Sequence, residues 1–186
     1  MQTTGDIRAG GDGVDQAYRI EAWQTLYSTL CGASAALAGL LFIATSVHIQ
    51  AIAKSEGLRI RAAANTFLIM VLVAEAGFVL LPQHPAVLGA EICLSAALIL
   101  AAFIWARRGL HRTGRRINRR GWVQLLLVAI GIAGGVSLAV RWGGGMFLVT
   151  TQFFATVGFV MFNAYSLLMA AEVEEDREKI AQSSRA

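Results

Sequence analysis

Residues 62–106, AAANTFLIMVLVAEAGFVLLPQHPAVLGAEICLSAALILAAFIWA, decide the fold class. Two apolar runs, 62–81 and 86–106, flank a turn containing Pro82-Gln83-His84-Pro85, and each run holds a single charged residue, Glu75 in the first and Glu91 in the second. A bilayer core about 30 Å thick needs roughly 20 residues of helix at 1.5 Å each, so either run is long enough to cross it. Lipid offers no hydrogen bonds to a bare backbone, and separate stretches of this length cannot close a barrel, so each run predicts a helix. Proline ends one helix and can open the next. The stretch reads as a transmembrane helical hairpin.

Three more runs of the same kind lie outward from it, at 26–47, 122–140 and 146–171, none with a charged side chain. Gly143, Gly144 and Gly145 permit a tight reversal between the last two. The expected fold is all-α: an integral membrane bundle of five transmembrane helices, one lone helix followed by two helical hairpins. The composition agrees, since 56% of the 186 residues are apolar and 15% charged, whereas a soluble domain carries about 25% charge. Residues 1–25 form a polar tail in which 14–23 suit a short interfacial helix, 26–171 the membrane domain, 107–121 an arginine-rich loop and 172–186 a charged tail.

Charge placement predicts the orientation. Arg107, Arg108, Arg112, Arg115, Arg116, Arg119 and Arg120 crowd one loop with no acid among them, which marks it as cytoplasmic and suited to anionic headgroups. The first loop, with Lys54, Arg59 and Arg61 against Glu56, falls on the same side, so the N-terminus is expected outside and the C-terminus inside. Trp23, Trp105, Trp122 and Trp142 sit at span ends, where amphipathic rings rest. No cleavable signal is recognisable in the polar first 25 residues, so the first span is expected to be a retained anchor. A pI near 9.6 suggests nucleic acid as a partner, but topology and headgroup attraction account for the arginines without it. Glu172, Glu174, Glu175, Asp176 and Glu178 read as a solvated extension of the fifth span, with pairing to the arginine loop as the alternative.

Cys31 and Cys93 fall inside predicted helices and read as small packing residues. His48, His84 and His111 lack partners at ligand spacing, so neither a metal nor a cofactor is expected.

Glu75 and Glu91 are the informative polar residues. Each lies eight positions from Gln83, hence at a similar depth of roughly 12 Å from the turn. Acids at membrane depth are costly and face protein or water. If they stand close together, one holds a proton unless a cation sits between them. They are therefore candidates for a proton or cation site, with Gln152 and Ser137 at nearby depths and Arg141 as a counter-charge; the competing reading is that each simply bonds a neighbouring helix. A second polar set, Thr45, Ser46, Asn65, Gln124 and Asn163, lies nearer the arginine-rich side. Its hydroxyls can bond back to their own helix, and its amides suit interhelical bonds.

The first span is nearly all small between Gly32 and Gly39, and the pairs Gly32/Ala36 and Ala35/Gly39 allow close helix approach. This helix is expected to be central, packed either inside the protomer, with Gly131, Gly134 and Gly135 as mates, or against the same helix of a neighbour. The stretch Gly32-Ala33-Ser34-Ala35-Ala36-Leu37-Ala38-Gly39-Leu40-Leu41-Phe42-Ile43-Ala44-Thr45-Ser46 resembles the opening span of a group of small, uncharacterised bacterial polytopic membrane proteins. The resemblance, which with the lead-in from Trp23 covers about a seventh of the chain, implies a bacterial inner-membrane, multi-pass protein and brings no substrate or catalytic residue. A small-residue helix leading further spans is also similar to the Orai calcium channels, which differ in having four spans and an acidic ring on the first.

No catalytic motif is present: Gly-x-Ser-x-Gly, His-Glu-x-x-His and a glycine-rich phosphate loop with its lysine are all missing. Two function classes remain. One is a homo-oligomeric cation or proton channel or transporter using the membrane carboxylates, its pore between subunits; the other is a non-catalytic scaffold or regulatory subunit that binds another membrane protein.

Overall fold

The computed structural model describes residues 23–112, 120–142 and 144–183. Residues 1–22 of the polar tail, which hold all of the expected interfacial helix except Trp23, lie outside the described residues, as do Arg115, Arg116, Arg119 and residues 184–186, while Gln24 and Thr25 already belong to the first helix. Among the described residues there are six helices and no strand: α1 (Gln24–Val47), α2 (Ile49–Lys54), α3 (Glu56–Leu80), α4 (Pro85–Arg112), α5 (Arg120–Val140) and α6 (Gly145–Ser183). Five of them, all but α2, are long and apolar enough to cross a membrane.

The helices run past the apolar segments that announced them. α3 begins at Glu56, six residues before its span, and α6 continues to Ser183, twelve beyond it. Hydropathy marks where lipid contact starts and stops, whereas the backbone ladder continues through polar residues that tolerate helix well. The first loop is likewise ordered: after a break at His48, α2 folds back and buries Ala51 and Ile52 against Leu58 of α3 and Leu167 and Ala171 of α6.

Local chemistry sets the turns. His84 opens α4: its carbonyl accepts from the Val87 N–H at 2.9 Å, and Pro85 fills the first helical position, where its missing N–H costs nothing. α5 ends in a Schellman arrangement, with the Arg141 N–H donating to Leu138 O at 3.3 Å and the Trp142 N–H to Ser137 O at 3.1 Å. The left-handed residue this requires is Arg141, at φ 55°, and Gly144 follows at φ 74°.

α3, α4, α5 and α6 form a closed ring in which each packs on the next and α6 returns to α3. α1 lies outside the ring, mainly against α3 and at its start against α6. This corrects the expected central place of the first span. Only 11% of its most apolar window is buried, against 44% for α3, and its buried residues are Tyr27, Ser34 and Leu41, a single stripe seven residues apart. The outer faces carry Phe42, Leu94, Phe154 and Phe162, all exposed. A bundle that is apolar inside and out has lipid as its solvent, and the protein is a multi-pass membrane protein.

The glycines of α5 serve the ring rather than α1. A Cβ on Gly89 would lie 2.5 Å from the Gly135 carbonyl, one on Gly135 2.7 Å from Cys93 Sγ, and one on Gly134 2.9 Å from Val149 of α6. Backbone contact this close is what small residues provide in lipid, where hydrophobic driving force between helices is lacking.

Candidate functional site

Glu75 lies inside the ring, 1% exposed. Its Oε1 stands 3.2 Å from the Ser95 hydroxyl of α4, and Gln152 of α6 reaches the same carboxyl. Oε2 has no hydrogen-bond partner in the protein, and neither does Oε1 of Gln152. Ser95 has one hydroxyl hydrogen, and the Ile92 carbonyl competes for it at 2.8 Å. Gln152 is fixed by its own helix: Nε2 donates to Thr156 Oγ1 at 3.2 Å, and that hydroxyl donates to the Gln152 carbonyl at 2.8 Å. Buried acceptors therefore outnumber the donors around Glu75.

Glu91 is engaged elsewhere. Its Oε2 accepts from Gln83 Nε2 at 2.6 Å, and the same nitrogen donates to Phe78 O at 2.9 Å, so Glu91 braces the turn from a half-buried position. The two acids share a height but have different partners, because side chains lean towards the N-terminus of their helix. In an antiparallel hairpin that lean carries Glu75 away from the turn and Glu91 towards it. Of the three residues expected to form an ion or proton site, the fold joins Glu75 with Gln152 and assigns Glu91 to the turn.

Two further expectations are corrected. Ser137 donates to the Trp142 carbonyl and belongs to the end of α5, while Arg141 is exposed on that turn and supplies no counter-charge to Glu75. The residue that sequence reasoning missed is Tyr27. It is 0% exposed, hydrogen-bonds Thr150 of α6 at 3.0 Å and meets the Phe153 ring edge-on at 5.9 Å. A tyrosine four positions after Trp23 reads as another headgroup-level aromatic, and nothing in the sequence distinguishes it from one. One turn outwards, Trp23 meets Phe147 at 4.9 Å and ties the start of α1 to the start of α6.

The amides of the second polar set converge. Asn65, Gln124 and Asn163 line a partly open cavity of about 110 Å³ between α3, α4, α5 and α6, together with Arg61 and Phe103. A smaller space of about 10 Å³ lies alongside, shares Leu68, Ile99 and Gln124 as walls, and is also lined by Gln152 and Thr156. That volume suits about one water molecule. Polar groups thus run in file from Arg61 through the amides to Gln152 and Glu75. Thr45 and Ser46, by contrast, bond back to carbonyls of their own helix, Thr45 to Leu41 and Phe42 and Ser46 to Phe42.

Gly32, Ala35, Ala36 and Gly39 all lie on the exposed side of α1, and a Cβ on either glycine would meet nothing within 4 Å. Among the described residues the small-residue face has no mate. Arg107 and Arg108 continue α4 as helix, Arg107 over the Phe103 ring at 5.5 Å, and α4 and α5 reach Arg112 and Arg120. Among the described residues no group of three or more His, Cys, Asp and Glu is placed to hold a metal ion. Comparison of the chain with protein-family profiles, curated proteins and solved structures finds no match.

Proposed function

We propose that the protein moves protons across a membrane through Glu75, reached from the arginine-rich end by the file of amides and closed at the opposite end by Tyr27. The observation that carries this reading is a fully buried carboxyl with one oxygen unpartnered, beside an amide oxygen that also lacks a donor. A proton on Glu75, or a protonated water beside it, supplies what both oxygens lack. One acid among neutral hydroxyls and amides is a poor cage for a metal cation, which takes six or more oxygen ligands as calcium or magnesium, so a proton fits better than a larger cation.

The path lies within one protomer, which moves the pore away from the subunit boundary expected from the helix count alone. The positive-inside rule supports an outside N-terminus and an inside C-terminus, with the arginine face on anionic headgroups. The resemblance of the first span supports a bacterial inner membrane. We also propose that two copies pair through the exposed face of Gly32, Ala35, Ala36 and Gly39; binding of another membrane protein there is the scaffold reading.

Proteoliposomes holding a pH-sensitive dye and driven by a potassium diffusion potential test the first proposal. The wild type is expected to acidify or alkalinise with the sign of the potential, Glu75→Gln to lose this flux while keeping its elution profile in detergent, and Glu91→Gln to retain it. A Glu75→Gln variant with wild-type flux defeats the proposal, as does a wild type that carries none. For the second, Gly39→Leu is expected to halve the particle mass in detergent.

A further inference from the structure

The polar side chains around the larger cavity are not equally open to it. Asn65 is sealed off, since both polar atoms of its side chain are buried without a hydrogen-bond partner. Gln124 and Asn163 are half-buried and line the space from α5 and α6, and among the described residues neither side-chain amide has a partner. An amide that bonds nothing in the protein and is not sealed within it presents its donors and acceptor to the space it lines. Arg61 of α3 lines the same space, and among the described residues the lining contains no carboxylate. A second guanidinium stands close by, because Arg107 lies over the ring of Phe103, another wall. Leu68, Ile99 and Ala102 make the rest of the wall apolar.

We propose that this cavity binds a small monocarboxylate with a short apolar tail. Guanidinium and carboxylate are both planar and match through two parallel N–H···O bonds. Arg61 has five N–H donors, so it holds such a group while keeping its interaction within the protein. Gln124 and Asn163 supply NH2 donors for the remaining lone pairs of the two oxygens. One cationic side chain in the lining balances one negative charge, which favours a monoanion over a phosphate dianion. The apolar wall favours a carboxylate with a tail over a bare halide. The available volume of about 110 Å³ holds several water-sized groups, which limits the solute to a handful of heavy atoms. The inference does not depend on Glu75 carrying protons, because Glu75 is not part of the lining.

Binding of radiolabelled propionate to the full chain in detergent, in a buffer free of other carboxylates and read by scintillation proximity, tests it. Saturable binding is expected near neutral pH, where propionate is ionised, competed by unlabelled acetate and not by propionamide, which has nearly the same shape without the charge. Gln124→Leu and Asn163→Leu each remove an amide that bonds nothing within the protein. Each is expected to weaken binding about tenfold, the loss of one hydrogen bond to a charged group, while the unfolding temperature holds or rises, an outcome that misfolding cannot mimic. Ala102→Leu, which fills the apolar side, is expected to weaken binding with every polar residue intact. Glu75→Gln is expected to bind as the wild type does, so loss of flux and loss of binding separate. Absence of saturable binding, equal competition by propionamide, or undiminished binding in both Gln124→Leu and Asn163→Leu overturns the proposal.

Discussion

At the scale of single residues, the ring is organised by a few polar side chains whose partners come from other helices. Tyr27 is the clearest case, since its hydroxyl meets Thr150 across a sequence distance of 123 residues. Tyr27→Phe keeps the ring against Phe153 and removes that bond, so it is expected to lower stability by about 1 kcal/mol, measured by denaturant titration in mixed micelles. Arg141 holds φ 55°, a region that costs a non-glycine residue roughly 1 kcal/mol. Arg141→Gly is therefore expected to raise stability by about 0.5–1 kcal/mol in the same titration, less the entropy glycine returns to the unfolded chain. The depths of Glu75 and Glu91 are legible from their positions, but their separation is a matter of side-chain direction and needs the antiparallel hairpin to exist first.

Among elements, close approach is unevenly distributed. The α4/α5 contact rests on Gly89 facing Gly135, where an added methyl meets backbone and cannot be relieved by rotating a side chain. Gly89→Ala and Gly135→Ala are each expected to destabilise by about 1–3 kcal/mol. Gly158→Ala on α6 has open space around it and is expected to be neutral or slightly stabilising. Thermal unfolding followed by circular dichroism in one detergent compares the three, and equal effects would contradict the packing described. Small-residue content alone pointed to α1, the richest in such residues. The mates proved to be α4 and α5, because a small residue creates an interface only where the opposing backbone also allows approach.

For the whole molecule, four helices form the ring around the polar file and a fifth lies outside it with its small-residue face open. The proposed orientation puts His84 and Arg108 on opposite sides of the bilayer. In a background with Cys31 and Cys93 replaced, a cysteine at His84 is expected to react with an impermeant maleimide added to intact cells, and one at Arg108 only after permeabilisation. The reverse pattern would invert the topology and move the mouth of the amide cavity to the outer face.

Five crossings and the positions of their turns are written in the sequence, because water and lipid sort residues by solvation and a spanning backbone must satisfy itself locally as helix. The two prolines and the glycine run are local signals too, and they mark the reversals at 81–85 and 141–145 where the helices end. Which helix is central, which acid faces the interior, and that Asn65, Gln124 and Asn163 surround one cavity were decided only by tertiary packing. Each span is apolar over most of its surface and carries only scattered polar residues, so no continuous polar face records which way the helix turns; backbone approach between glycines and the direction of side chains settle it.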